Sequence, residues 1–275
     1  SAMKGIESDS AAPKGFRNLT LAGLGLKCEI IEPIQLSNIE DWDFLTSELE
    51  SWGQVPESKS INSISTEEKN RGLVALISAE NEWIADFLPW NRDSQLSMIS
   101  EAKISVSIPY IGGYKWEGKD IIAFRKNQKK DNTILEKLES TIKQNDVENT
   151  NKILYKCGSV LGQYHSEVES ILTTPYDHKR WNSRIESLEE KLRASFIWRG
   201  KFSKKTPCII SLRDVRFSDF QSGKIAINRP RLSDCLEVPN CDFPAIRDLS
   251  SLIHDLSRMI YRLNDRIDIT SLRSS

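Results

Sequence analysis

The chain has no apolar run approaching the roughly 20 residues that a bilayer span requires, and no charged-then-apolar leader. A soluble, cytoplasmic protein without a membrane span is therefore expected. Its five cysteines (Cys28, Cys157, Cys208, Cys235 and Cys241) are scattered, with neither C-x-x-C spacing nor a nearby histidine pair. That distribution excludes a zinc site or a disulfide framework and fits buried thiols in a reducing compartment. Internal repeats and extended low-complexity tracts are missing, as are zinc fingers and aromatic-interleaved RNA motifs, so solenoids and dedicated nucleic-acid modules are disfavoured. Gly23 and Gly25 in Leu-Ala-Gly-Leu-Gly-Leu lack the third glycine of a phosphate-cradling loop and read as a turn or bulge. Basic residues are absent from Glu29 to Glu57, which holds eight acidic ones.

Elsewhere the balance reverses. From His178 to Arg216 there are eleven Lys/Arg against four Asp/Glu, a formal +7 inside a chain whose net charge is −1. The segment 179–205 is a candidate docking surface for an acidic protein partner or another polyanion. With 275 residues, 39% hydrophobic and 28% charged, the chain can bury the core of one bilobal domain or two small ones.

Residues 1–17, including a Ser1-Ala2-Met3 cloning remnant, read as a flexible N-terminus. Asn18 to Ile34 supplies strand material. A capping box at Ser37-x-x-Glu40 starts a helix whose apolar positions Ile39, Trp42, Leu45, Leu49 and Trp52 run to Gly53. Gly72 to Ile77 and Trp83 to Leu88 form a hairpin, and Ser94 to Ala102 is a short amphipathic helix. Ile104 to Tyr110 and Asp120 to Phe124 flank Gly112-Gly113 and Glu117-Gly118 as a second hairpin. From there the pattern turns helical: one helix on Ile134, Leu138 and Ile142, a longer one from Ile153 to Val168, another from Trp181 to Trp198, and a last one striped by Ile246, Leu249, Ile253, Leu256, Ile260 and Leu263.

The segment Ile209-Ile210-Ser211-Leu212-Arg213-Asp214-Val215-Arg216-Phe217-Ser218-Asp219 sits amid these helices. A Ser222-Gly223 turn and the apolar run Ile225 to Ile227 follow it, then Leu232-Ser233-Asp234 and Cys241-Asp242-Phe243-Pro244-Ala245-Ile246-Arg247-Asp248-Leu249. The segment resembles the catalytic loop of the protein-kinase-like superfamily, H-R-D-x-K-x-x-N. The later stretch resembles the D-P-A-x-x-D-L segment of aminoglycoside phosphotransferases and related small-molecule kinases. Leu161-Gly162-Gln163-Tyr164-His165-Ser166 is similar to the helix end that precedes the catalytic loop in the same enzymes.

This resemblance implies an α+β, bilobal kinase-like fold: a β-rich N-lobe over 18–125, a hinge at 125–132, and a mainly helical C-lobe over 126–275. It implies ATP and Mg²⁺ as cofactors, Asp214 as acceptor of the substrate's proton, Arg216 facing the transferred phosphoryl group, and Asp219 and Asp234 as metal ligands, with Asn228 the rival of Asp234. His165 would pack and hydrogen-bond, and Asp248 would brace the loop. The sequence departs from the family in the missing ATP-binding lysine, where Ala85, Asp86 or Phe87 stands, in the missing glycines of the phosphate-covering loop and in Leu212 for the histidine; Asp219 also stands for the asparagine. Glu101 is the candidate for the lysine's glutamate partner and so for the nucleotide site. These departures leave a weak phosphotransferase and a pseudokinase-like scaffold both open. Two further alternatives are a polyanion-binding module and a ribonuclease, the latter because Arg247-Asp248 with His254 is similar to the R-x4-6-H signature of the HEPN group.

Overall fold

The computed structural model describes residues 4–7, 11–23, 26–34, 36, 38–69, 72–88, 96–127, 134–175, 186, 189–190, 207–212, 214–227 and 243–263. Strands β1 (Lys4–Glu7), β2 (Phe16–Gly23) and β3 (Leu26–Pro33) form an antiparallel sheet in that order. Within the stretch expected to be flexible, Lys4–Glu7 is strand and pairs with Leu19 to Ala22. Gly23 pairs with Leu26, so Gly23 closes a hairpin strand. Helix α1 (Ile39–Glu48) begins one residue later than expected, with Asn38 N donating to Asp41 Oδ2 at 3.3 Å. It also ends early. Trp52 lies in β4 (Glu50–Gly53), where the chain pairs with another strand instead of continuing the helical period.

The main sheet has six strands in the order β4-β9-β10-β7-β6-β5. Its remaining members are β5 (Ser63–Lys69), β6 (Gly72–Ser78), β7 (Glu82–Phe87), β9 (Gly112–Trp116) and β10 (Lys119–Lys126). The β6–β7 hairpin is the expected one. The second hairpin is displaced: its first strand is β9, which contains Gly112 and Gly113, and Glu117-Gly118 turn the chain with φ of 50° and 76°. The glycines belong inside β9 because β4 lies so close. A Cβ on Gly112 would stand 1.9 Å from Gln54 O, and one on Gly113 2.7 Å from the Trp52 indole nitrogen.

Alternation divides the sheet into two faces. Ala75, Ile77, Trp83, Ala85, Phe87, Tyr114, Ile122 and Phe124 turn to one side and pack with Trp42 and Leu45 of α1. Phe124 is the hub of the ring contacts, with centroids 5.6 Å from Tyr114, 6.0 Å from Trp42 and 6.3 Å from Trp83. Val74, Asp86 and Ala123, cross-strand neighbours of one another, occupy the other face.

A second core includes Ala123 and joins the helices to the loop segment. Helix α2 (Leu96–Glu101) buries Leu96 and Ile99, α3 (Ile134–Lys143) buries Leu138 and Ile142, and α4 (Val147–Glu169) buries Cys157, Leu161, Tyr164 and Val168. Asp146 caps α4 by accepting from Asn149 N at 3.1 Å. Helix α5 (Ile246–Leu263) buries Asp248, Leu252, Leu256, Met259 and Ile260. The expected stripe is therefore rotated, and Ile246, Leu249 and Ile253 are exposed. Asp248 sets that rotation, since its inward carboxylate has several partners.

Short strands frame the loop. β11 (Thr173–Pro175), β12 (Pro207–Ile209) and β15 (Phe243–Pro244) form one sheet. β13 (Phe220–Gln221) and β14 (Lys224–Ala226) make the hairpin after it, and β14 runs parallel to β8 (Ser107–Ile108). The hairpin is thereby fastened to the segment that links α2 to the main sheet. Among the described residues no helix is long and apolar enough to cross a membrane.

Candidate active site

Between β12 and β13 the backbone is irregular, so its buried N–H and C=O groups need partners outside any ladder. Two helices supply them. From α4, the Tyr164 hydroxyl donates to Ile210 O at 3.2 Å. From α5, fully buried Asp248 accepts from Leu212 N at 3.0 Å and from Ser211 Oγ at 2.6 Å. His165 Nε2 lies 3.0 Å from Asp248 Oδ2, and because a carboxylate only accepts, Nε2 carries the proton. Two turns along α5, Asp255 accepts from Phe217 N at 3.1 Å. The loop is thus gripped on both sides of Asp214 and Arg216.

Local alternation aims the chemistry. Val215 and Phe217 are each 1% exposed and fill the second core, which turns Asp214 and Arg216 away from it, with 25% and 18% of their side chains exposed. There Arg216 Nε stands 3.4 Å from Asp214 Oδ2. A single turn of 3₁₀ helix, Phe217–Asp219, follows, with Asp219 Oδ2 accepting from Arg216 N at 2.8 Å. Asp219 is buried.

On the face of the main sheet that carries Asp86 and Ala123 sits a cation that the sequence pattern missed. Arg125, assigned to a hinge by its polar surroundings, belongs to β10 and forms an ion pair with Asp86 of β7. Tyr110 closes the group: its hydroxyl donates to Asp86 Oδ2 at 2.5 Å, and its ring lies 4.6 Å under the Arg125 guanidinium. Burial by itself would lower the Arg125 pKa, but Tyr110, Asp86 and Asp219 raise it, and the net shift is upward. That Asp219 contributes places the Asp86–Arg125 pair within electrostatic reach of the loop.

Asp214, Arg216 and Asp219 are therefore brought together on one braced loop. Glu101 is exposed at the end of α2, whose inward residues are Leu96 and Ile99. Asp234 and its rival Asn228 lie outside the described residues, as do Arg213, Asp242 and nearly all of 179–205 and of the 181–198 helix. His254 is exposed on α5, while Asp248, the middle residue of the ribonuclease-like pattern, is turned inward to the loop. Asp255 escaped the sequence reading, although its spacing of seven from Asp248 puts both carboxylates on one helix face.

No family model matches the chain, and no curated protein matches it in sequence. Solved structures match it in fold. A glucosamine kinase in complex with glucosamine, ADP and inorganic phosphate superposes with a TM-score of 0.57 at 10% identity, covering 100% of this chain and 80% of that one. Two further crystal forms of glucosamine kinase give TM-scores of 0.61 and 0.55 at 10% and 9% identity, covering 100% and 95% of this chain and 80% and 74% of theirs. At such identities the likeness speaks to fold alone, and the chain shares the α+β fold of these glucosamine kinases.

Proposed function

We propose that the chain is a divergent ATP-dependent phosphotransferase of the small-molecule-kinase type, with a sheet-rich lobe set over a mainly helical one and the nucleotide between them. The observation that carries this reading is the bracing of the loop by Tyr164, Asp248 and Asp255 on both sides of the part-buried Asp214–Arg216 pair. Irregular backbone held so firmly suits catalysis, in which a misplaced base loses most of its effect. Asp214 would take the proton of an acceptor hydroxyl as its oxygen bonds to the γ-phosphorus. The bond from that phosphorus to the β,γ-bridging oxygen breaks, ADP leaves, and Arg216 offsets charge on the phosphoryl oxygens.

Asp219 and the Asp234 proposed with it offer only carboxylate oxygens, a donor set that suits Mg²⁺. When bound, the metal would neutralise charge on the nucleotide phosphates. Because β7 carries no lysine, we assign the alignment of those phosphates to Arg125, held in place by Asp86 and Tyr110. Glu101, exposed at its helix end, is left without that role.

A pseudokinase reading draws on the same pair. Asp86 already neutralises Arg125, so a phosphate must compete with a buried carboxylate for the guanidinium. Nucleotide binding is accordingly expected to be weak. Calorimetric titration with ATP separates the cases: binding that needs Mg²⁺ supports the enzyme, metal-independent binding the pseudokinase, and no binding a scaffold.

A further inference from the structure

A cleft of about 530 Å³ opens beside the loop, between α3, α5 and the turn at Phe217–Asp219. Its size suits a small molecule. Three arginines line it: Arg216 from the loop, and Arg258 and Arg262 one turn apart on α5. Among the described residues Asp255 is the acidic member of the lining, and it accepts from the Phe217 amide. Leu135 and Met259 provide an apolar floor. Arg262 is tied to Glu139 of α3, which spans the cleft's edge. Arg258 is exposed and has no ion-pair partner among the described residues.

We infer that this cleft is the acceptor site and that the acceptor is an anionic hydroxy compound, such as a sugar carrying a phosphate or carboxylate; the inference rests on the phosphotransferase reading. Guanidinium groups match the planar or tetrahedral oxyanions of such groups through paired N–H donors. The geometry links binding to chemistry, because Arg216 both lines the cleft and stands 3.4 Å from the Asp214 carboxylate. An anion seated on Arg258 and Arg262 sets its carbon skeleton over Leu135 and Met259, with a hydroxyl directed toward Asp214. Its oxygen forms the new P–O bond, its proton passes to Asp214, and the nucleoside diphosphate departs. Arg258, exposed and without an ion-pair partner among the described residues, disfavours an ammonium group at this place. Glucosamine, the ligand of the structurally similar kinase, is therefore a poor acceptor for this chain.

The test is calorimetric titration of the full chain, without nucleotide, with D-glucose 6-phosphate, D-gluconate, D-glucose and D-glucosamine. Arg258→Ser removes a cleft charge, and Lys152→Ser removes an exposed charge on α4 as a control. Binding of either anion with rejection of glucose and glucosamine is expected, and the stronger of the two distinguishes a phosphate from a carboxylate site. Arg258→Ser should weaken that binding roughly tenfold to a hundredfold, as loss of a charge-assisted hydrogen bond does, while Lys152→Ser leaves it unchanged. Equal or better binding of glucose or glucosamine, no anion binding at all, or equal losses in the two variants would each overturn the inference. Anion binding in a chain that turns over no ATP would overturn the phosphotransferase reading and reduce the cleft to an anion-binding site.

Discussion

The two cores of this molecule are built on opposite plans. The core between α1 and the main sheet is aromatic and regular, with strand ladders satisfying its backbone and Trp42, at 1% exposure, packed against Phe87 and Phe124. The core beneath the loop wraps irregular backbone, and two carboxylates, buried Asp248 and half-buried Asp255, hold that backbone in place of a ladder. The first core maintains shape. The second maintains shape and aims two charged side chains, so the same loss of stability should have different consequences in the two.

The largest expected effect lies in the first core. Trp42→Ala removes the ring between α1 and the sheet and should cost about 4 kcal/mol in urea denaturation, without changing the relative protection of loop amides. A cost below about 1 kcal/mol would mean that α1 is not part of the cooperative unit. Next is Asp248→Ala, which strips acceptors from Leu212 N, Ser211 and His165 and should cost about 3 kcal/mol. Here hydrogen exchange at Leu212 should rise far more than exchange in the main sheet. Uniform loosening across both regions would erase the distinction between the cores.

A smaller effect tests the link between them. Replacing Asp86 by Asn and Arg125 by Gln, singly and together, should show a coupling of about 2 kcal/mol, because either single change leaves a largely buried charge without its partner. Additive losses would show that the pair is not a unit.

Much of this plan was legible in the sequence, and the failures share a cause. The β6–β7 hairpin, α3, α4 and the position of Asp248 were readable because periodicity and turn chemistry are local. Trp52 continued the period of α1 but was captured by β9, a partner some 60 residues away whose Gly112-Gly113 leaves room for it. The apolar stripe of α5 pointed to Ile246, Leu249 and Ile253, yet the bonds of Asp248 decided which side faces inward. Arg125 read as hinge because its meaning depends on Asp86, on the neighbouring strand. Within the loop itself, Asp214, Arg216 and Asp219 lie together because one short stretch of sequence contains all three.

The smallest prediction uses the thiol of the second core. Burial pushes the Cys157 thiol up to about 12 from its ordinary value of 9.0. The folded state thus keeps a proton that the unfolded chain releases, and stability should fall as pH rises above about 9, by up to about 1.4 kcal/mol per unit. Burial also raises Tyr114, from 10.0 to about 12, so its share of the loss begins only near pH 10. Between pH 8 and 9.5, Cys157→Ala should flatten the decline in urea midpoint. An unaltered decline would place the alkaline sensitivity elsewhere.

If the braced loop performs phosphoryl transfer, ATP turnover with Mg²⁺ against a panel of hydroxy acids and sugar phosphates shows it most directly, compared between the unaltered chain and Asp214→Asn. Slow, acceptor-dependent turnover is expected, abolished by this single substitution while the melting temperature stays within about 2 °C, as befits a partly exposed site. Turnover that survives Asp214→Asn, or none with any acceptor in a chain that is fully folded, would contradict phosphoryl transfer by this loop.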